Sequence, residues 1–284
     1  MRNVFMRFPG GKAKAVSFSY DDGTGQDERL AKLFTSYGLK ATFNFNSTEM
    51  RSNFTPQQIE EIFYSGGHEI ATHGEFHRAN GNLRPIEGIT EALNCRLSLE
   101  KLTGRIIRGM AYPDSGIRVM TGKSSYEQIR GYLSDLGIVY ARSLGQDNDR
   151  FELPMDFYNW IPSAHHNNPS LFEYIDKFLS IDTSTKTYGA SRTSRLLYIW
   201  GHSAEFDRDG NWDRAEQICK KLAWKEEIWY ATNIEYYEYV EAFGRLVYSA
   251  NGKRAYNPTL FTLWIDADGR LIEIAPGATV TLEN

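Results

Sequence analysis

Short apolar runs alternate with longer amphipathic segments along the first two thirds of the chain. The runs are rich in β-branched and aromatic residues, which favour strands, and the segments between them have the residue spacing of helices. The predicted strands are residues 15–20, 40–45, 68–72, 106–112, 137–142, 158–163 and 195–201. The predicted helices are residues 27–37, 56–65, 85–102, 124–136, 171–179 and 212–230. Such an alternation is typical of βαβ units around a parallel sheet.

The number and order of these strands predict an α/β fold built as a distorted (β/α) barrel of about seven strands. Right-handed connections place the helices outside, which favours a barrel over an open sheet. Towards the C-terminus, residues 259–265 and 270–274 predict a β-hairpin, and residues 279–282 predict a further strand. We therefore expect a catalytic barrel over residues 1–232 and a small C-terminal α/β extension, a β appendage packed on the barrel, over residues 233–284.

The composition of the chain argues against some classes of binding partner. The 284 residues include 32 basic and 36 acidic side chains without a long basic run, so we expect no nucleic acid partner. No apolar stretch is long enough for a membrane span. Residues 1–9 lack the apolar core of a signal peptide, which favours a cytoplasmic protein, although a signal removed beforehand would leave the same sequence. The sequence does not indicate an oligomeric state.

Carboxylates and imidazoles follow the predicted strands. Asp21 and Asp22 come directly after the first strand, and His73 and His77 come after the third. Two histidines four residues apart lie on one face of a helix or tight turn, so both can reach one ion, and a carboxylate would complete the set. Three such ligands leave a position open for water, which the metal acidifies into a nucleophile. These residues point to metal-assisted hydrolysis.

Each motif alone has a simpler interpretation. An aspartate pair at a strand end is more often a cap or turn, and two histidines at this spacing are commonly a surface or packing feature. The strand ends of a barrel share one rim, however, and active sites are assembled there. Tyr112 and His202 also lie at strand ends. The combination favours a metal site.

The order of these residues resembles the polysaccharide deacetylase (NodB-like) family, carbohydrate esterase family 4. The resemblance covers roughly residues 15–205 and is carried by residues 19–23, residues 67–73 with His77, Arg108 with Tyr112-Pro113, and His202. It implies a distorted barrel, a divalent metal and hydrolysis of N- or O-acetyl groups on a saccharide substrate. Zinc is expected first, and cobalt, nickel, manganese or iron could use the same ligands.

The resemblance also implies residue roles. Asp22, His73 and His77 take the metal-ligand positions, and Asp21 takes the position of the catalytic base. A base that is not itself a ligand can remove the proton of the metal-bound water as it attacks the acetyl carbonyl.

Three further residues receive roles in the same way. Arg108 takes the position of the arginine that orients the base, and the backbone N–H of Tyr112 takes that of an oxyanion donor. His202 takes the position of the general acid that protonates the leaving amine or alcohol. The residues between Arg108 and Tyr112 depart from the usual family spacing. Gly74 also stands where the family has Ser or Thr.

Four more residues are candidates for the substrate cleft. Asp156 could fill the family's later acidic position, which supports the arginine or the general acid, and Trp160 could form part of the cleft wall. His165 and His166 have no counterpart in the family motifs. Adjacent residues on a strand point in different directions. One of the pair could therefore line the cleft or contact the metal region, and a structural role is the alternative.

Other functions remain open at the level of sequence. The same groups suit an amidase that acts on a small cyclic or linear non-sugar amide. Two histidines and one carboxylate also form the iron site of non-haem oxygenases, which commonly have all-β frameworks. A sugar-binding protein without turnover is the remaining hypothesis.

Overall fold

The computed structural model describes residues 3–48, 54–184 and 192–282. Its strands are β1 (Val4–Arg7), β2 (Lys14–Asp21), β3 (Thr42–Phe45), β4 (Glu69–Thr72), β5 (Gly109–Ala111), β6 (Tyr140–Arg142), β7 (Ala164–His165), β8 (Arg195–Gly201), β9 (Ile228–Tyr230), β10 (Val247–Tyr248), β11 (Arg254–Tyr256), β12 (Leu263–Ala267), β13 (Arg270–Ile274) and β14 (Thr279–Thr281). Its helices are α1 (Gln26–Ser36), α2 (Pro56–Gln58, continued by a π-helical segment, Ile59–Tyr64), α3 (Pro85–Thr103), α4 (Tyr126–Asp135), α5 (Leu171–Ser180), α6 (Ala204–Arg208), α7 (Trp212–Leu222) and α8 (Asn233–Gly244). None of these described helices is long and apolar enough to cross a membrane.

A parallel sheet forms the centre of the molecule, in the order β6-β5-β4-β3-β2-β8-β7, with β9 also paired to β2. Every residue of β2 is buried, because helices cover the outside and side chains fill the inside of the curled sheet. The sheet is a curled half-barrel, which confirms the predicted distorted (β/α) barrel. The parallel strands place their carboxyl ends on one rim.

The last predicted strand before β8 is displaced. A 3₁₀ turn at Phe157–Asn159 occupies the start of predicted strand 158–163, and the regular pairing with β8 comes only at β7. Pro162 has no N–H to donate to a ladder, which explains the interruption. Trp160 still forms a single parallel bridge to Arg142 of β6. This segment therefore connects β6 to β8 and brings the sheet close to closure.

The predicted helix 212–230 was too long. Helix α7 ends at Leu222, and Trp224 then has a φ of 58°, which turns the chain out of the helix. The following residues form β9, which pairs in parallel with the first half of β2. A third parallel partner thus covers the base of β2.

The C-terminal strands form two small antiparallel sheets. β12 and β13 make the predicted hairpin, and β12 pairs with the N-terminal strand β1, while β10, β11 and β14 form the other sheet. Asp266 of β12 accepts hydrogen bonds from Arg7 at 2.8 Å and Arg192 at 2.5 Å, and both arginines are buried. The expected domain boundary at residue 232 stays a prediction, although residues from both sides of it share the sheet β1-β12-β13.

Trp160 lies in a buried aromatic cluster and is only 1% exposed, so the prediction that it lines the cleft was wrong. Its ring centroid is 4.7 Å from that of Tyr198, 5.3 Å from that of Tyr236 and 5.6 Å from that of Tyr140. Aromatic rings packed at these distances stabilise a core beyond the area that they bury. Trp160 therefore packs the irregular segment before β7 against the rest of the barrel.

Trp160→Ala should lower the free energy of unfolding by about 3–5 kcal/mol, because it leaves a cavity among large rings. Urea unfolding followed by circular dichroism measures this difference. Met155→Ala, at a side chain that is 100% exposed, is the control and should change stability by less than about 0.5 kcal/mol. Equal stability of the two variants would contradict the packing role of Trp160.

Candidate metal centre and active site

The two adjacent aspartates point to different places. Asp21 is the last residue of β2 and is buried, whereas Asp22 begins the turn with a φ of 85°. Asp is one of the few residues other than Gly that adopts this left-handed conformation readily. The turn directs Asp22 away from the strand, and its Oδ1 lies 3.6 Å from Nε2 of His73 and 3.5 Å from Nε2 of His77.

The two histidines are placed by an open loop after β4, not by the expected helix or tight turn. His73 is buried directly after the strand, and His77 has a φ of 54°, which turns its side chain back towards His73. The two ring centroids are 4.9 Å apart. Glu91 of α3 holds the loop by accepting the backbone N–H groups of Phe76 at 2.7 Å and Arg78 at 3.1 Å.

The donor set of Asp22, His73 and His77 fits a divalent metal. Their ligand atoms all lie within 4.8 Å of one another. Nδ1 of His73 lies 2.9 Å from the carbonyl oxygen of Ala111, which fixes the proton on Nδ1 and leaves the lone pair on Nε2. That Nε2 is buried without a hydrogen-bond partner among the described residues. Burial lowers the pKa of His73, so its ring is neutral and able to ligate.

The hydrogen-bond donors around Asp21 keep it ionised. Its Oδ2 forms a buried ion pair with Arg142 of β6, and its Oδ1 accepts from Asn44 at 2.9 Å. Burial by itself raises the pKa of Asp21, but Arg142, His73 and His202 lower it below its ordinary value. Asp21 is therefore a charged carboxylate, held in one orientation beside the three candidate metal ligands.

Arg142, not Arg108, orients Asp21. Arg108 comes just before β5, at the amino ends of the strands, and its guanidinium binds Glu238 of α8 at 2.5 Å. Arg142 comes at the carboxyl end of β6, on the rim that carries Asp21. The expected role of Arg108 was therefore wrong. The signal for Arg142 was present, since it was the last residue of a predicted strand.

Two other expected roles were also wrong. The backbone N–H of Tyr112 donates to the carbonyl of Arg142 at 2.9 Å, so the sheet uses the group that was expected to bind an oxyanion. Asp156 accepts from the hydroxyl of Tyr126 at 2.5 Å and from the backbone of Tyr158 at 2.8 Å. It supports neither the arginine nor the late histidine.

His202 follows β8 and faces the same space as Asp21. Its Nε2 is 4.0 Å from Oδ2 of Asp21, and its Nδ1 is 3.5 Å from Oε1 of Glu205 in α6. Burial alone would lower the pKa of His202, but Glu205 and Asp21 raise it above its ordinary value. His202 can therefore carry a proton near neutral pH.

Trp200, two residues before His202, faces the same rim. Its ring stacks on the guanidinium of Arg142, with 4.6 Å between the guanidinium carbon and the ring centroid. The Trp200 and His202 rings are 5.6 Å apart. Sequence reasoning missed Trp200, Asn44 and Glu205. Asn44 had a signal, as a polar residue inside an apolar strand, whereas Glu205 had none.

The chain is similar to known proteins in sequence and in fold. Residues 9–137 match the family model described as polysaccharide deacetylase, and no curated protein matches the chain. A protein from Mycobacterium smegmatis, described as a polysaccharide deacetylase, has a TM-score of 0.59 and 16% identity, over 86% of this chain and 96% of that one. The Puue allantoinase has a TM-score of 0.57 and 14% identity, over 81% and 91%. The peptidoglycan deacetylase PdaC from Bacillus subtilis has a TM-score of 0.50 and 14% identity, over 82% and 93%.

Gly74→Ala should destabilise the protein by about 1–3 kcal/mol. Gly74 has a φ of 78°, and a Cβ there would lie 2.9 Å from Oε1 of Glu91, the carboxylate that holds the histidine loop. Gly131→Ala is the control, because Gly131 lies in α4 with open space around its Cα and should gain stability. Chemical unfolding of both variants measures the difference, and a neutral Gly74→Ala would show that the loop does not need this backbone shape.

Proposed function

We propose that this chain, whose residues 9–137 match the polysaccharide deacetylase family model, is a metal-dependent hydrolase that removes N- or O-acetyl groups from a saccharide. The separation of the two aspartates supports this proposal most directly. Asp22 faces two imidazoles, whereas Asp21 is held apart by Arg142. Hydrolysis by a metal needs both a ligand carboxylate and a carboxylate free to accept a proton.

Asp22, His73 and His77 would hold the ion. Zinc is our first choice because imidazole and carboxylate donors suit it, and cobalt, nickel, manganese or iron are alternatives. A bound divalent ion polarises the acetyl carbonyl and lowers the pKa of a water molecule.

The remaining residues move protons. Asp21 accepts the proton of the attacking water, and Arg142 holds that carboxylate charged and in one orientation. His202, whose Nε2 lies 4.0 Å from Oδ2 of Asp21, donates a proton to the leaving amine or alcohol as the carbon–nitrogen or ester bond breaks. The products are acetate and the freed saccharide.

The other hypotheses predict a different fold or a different activity. Non-haem iron oxygenases commonly use all-β frameworks, and the parallel strand–helix alternation argues against one here. An amidase would cleave cyclic or linear amides and leave acetylated sugars intact. A sugar-binding protein would bind a saccharide without releasing acetate.

Acetate release from a panel of acetylated saccharides, beside a panel of cyclic and linear amides, tests the proposal. We expect release only with metal, lost on chelation and restored by zinc. Asp21→Asn should lower kcat by about 10²-fold or more while zinc binding is retained, because it removes the base and not a ligand. Asp149→Asn, at an exposed carboxylate, is the matched control. Metal-independent release, or an unimpaired Asp21→Asn enzyme, would contradict the mechanism.

Arg142→Gln should lower kcat by about 10- to 10³-fold, because Asp21 loses the group that fixes it. Arg108→Gln should stay close to wild type, since its partner Glu238 lies away from the site. Steady-state kinetics on the acetylated substrate compares the two variants, and circular dichroism checks that both are folded. A larger loss in Arg108→Gln would restore the original assignment of the arginine.

A further inference from the structure

A second group of histidine and carboxylate side chains lies on the rim beside His202. His165 ends β7, His166 follows it, and Glu205 lies in α6. Oε2 of Glu205 is 3.1 Å from Nε2 of His165 and 3.0 Å from Nε2 of His166. The sequence left open whether these histidines contact the metal region or are structural. By composition alone, the group could hold a second metal ion.

The hydrogen bond at Nδ1 of His165, the ring nitrogen that does not face Glu205, argues against His165 as a metal ligand. Its Nδ1 accepts the backbone N–H of Asn167 at 3.1 Å. A neutral imidazole that accepts at Nδ1 carries its proton on Nε2, so the atom facing Glu205 is a donor. His73 has the opposite arrangement, since its Nδ1 donates and its Nε2 has the free lone pair. The two sites therefore differ in tautomer, although they share residue types.

His166 has no freedom to reorganise around a metal. Its ring is fully buried and stacked between Tyr20, at 5.6 Å and 21°, and Phe206, at 4.2 Å and 24°. Its Nδ1 faces Gly201, where even a methyl group would come within 2.1 Å. A ligand at Nε2 would need a proton on Nδ1, which has no acceptor among the described residues. The Nε2–H tautomer instead places its proton beside Glu205.

Glu205 links this histidine pair to the proposed acid. Its other oxygen, Oε1, lies 3.5 Å from Nδ1 of His202, and its backbone N–H donates to the carbonyl of His202 at 3.0 Å. Neither the N–H of His165 nor that of His166 is aligned with Oε2 as in a hydrogen bond, so short distance and charge carry both contacts. The exposed Arg208 also reaches Oε1, at 3.5 Å. The carboxylate is thus surrounded by donors.

We propose that the His165–His166–Glu205 cluster is an electrostatic support for His202 and not a second metal centre. The rings of His165 and His166 lie 3.1 and 3.0 Å from one oxygen of Glu205 and fix its rotamer, and the charge of the other oxygen, 3.5 Å away, favours a proton on Nδ1 of His202. His202 then presents Nε2 towards Asp21 and the leaving group. The three cluster residues are positioning residues. The kinetic part of this proposal rests on the function proposed above, whereas the metal and tautomer parts do not.

Zinc content after equilibrium dialysis distinguishes the two interpretations without an activity assay. We expect one zinc ion per chain in the wild type, in His165→Gln and in Glu205→Gln, and none in His73→Gln. Two ions in the wild type, with one lost in His165→Gln, would overturn the proposal. Glu173→Gln, at an exposed position of α5, is the control for the loss of a carboxylate.

Nitrogen-15 NMR of the metal-free protein reads the tautomers directly. We expect Nε2–H for His165 and Nδ1–H for His202 when neutral, and loss of the fixed His202 tautomer in Glu205→Gln. Nδ1–H at His165, or an unchanged His202 in Glu205→Gln, would overturn the support role.

Kinetics supplies the functional readout. Glu205→Gln should lower kcat about 10- to 100-fold with little change in KM and full zinc content, as expected when a group that orients a catalytic residue is lost. An unchanged kcat would overturn the link to His202. Failure of the wild type to release acetate would instead contradict the proposed function, and the zinc and tautomer measurements would still decide the nature of the cluster.

Discussion

The buried ion pair between Asp21 and Arg142 depends on the curled shape of the sheet, and the proposed chemistry depends in turn on this ion pair. Its partners end β2 and β6, which have three strands between them in the sheet, so the side chains meet only because the sheet curls into a barrel. Neither charge could be buried alone, and removing one partner of such a pair typically costs about 3–5 kcal/mol. The ring of Trp200 covers the guanidinium and excludes water from the pair. The same contact stabilises the rim and keeps Asp21, the proposed base, ionised.

The sequence could predict those site residues that lie at the ends of strands. Asp21, Asp22, His73 and His202 each follow an apolar run, and parallel strands bring such positions together whatever the helices between them do. Arg108 matched a family motif but precedes the short strand β5, so it lies at the other end of the barrel. A motif match reports residue type and order. Where a three-residue strand begins and ends depends on tertiary packing, which a local sequence pattern does not show.

Other misassignments have the same origin in tertiary contacts. Trp160 is a large aromatic residue in a predicted strand, and only the surrounding rings show that it belongs to the core. Glu205 is one of many helical glutamates in the sequence, and the turn after β8 alone brings it to His202. Asp22 and His77 have left-handed backbone conformations, which cost free energy and are retained where the surrounding structure determines them. Glu91 holds the loop that carries His77 by accepting two of its backbone N–H groups.

The sheet that joins β1 to β12 has a consequence for how the molecule assembles. The backbone N–H of Asn3 donates to Oδ1 of Asp268 at 3.0 Å, across 265 positions of sequence. Contacts of such separation close large loops and form slowly. During synthesis, β2 to β8 can pair while β1 still lacks its partner β12, so β1 is among the last strands to find its place. Until then its edge is open to other chains, which makes the folding intermediate more prone to aggregation than the finished barrel.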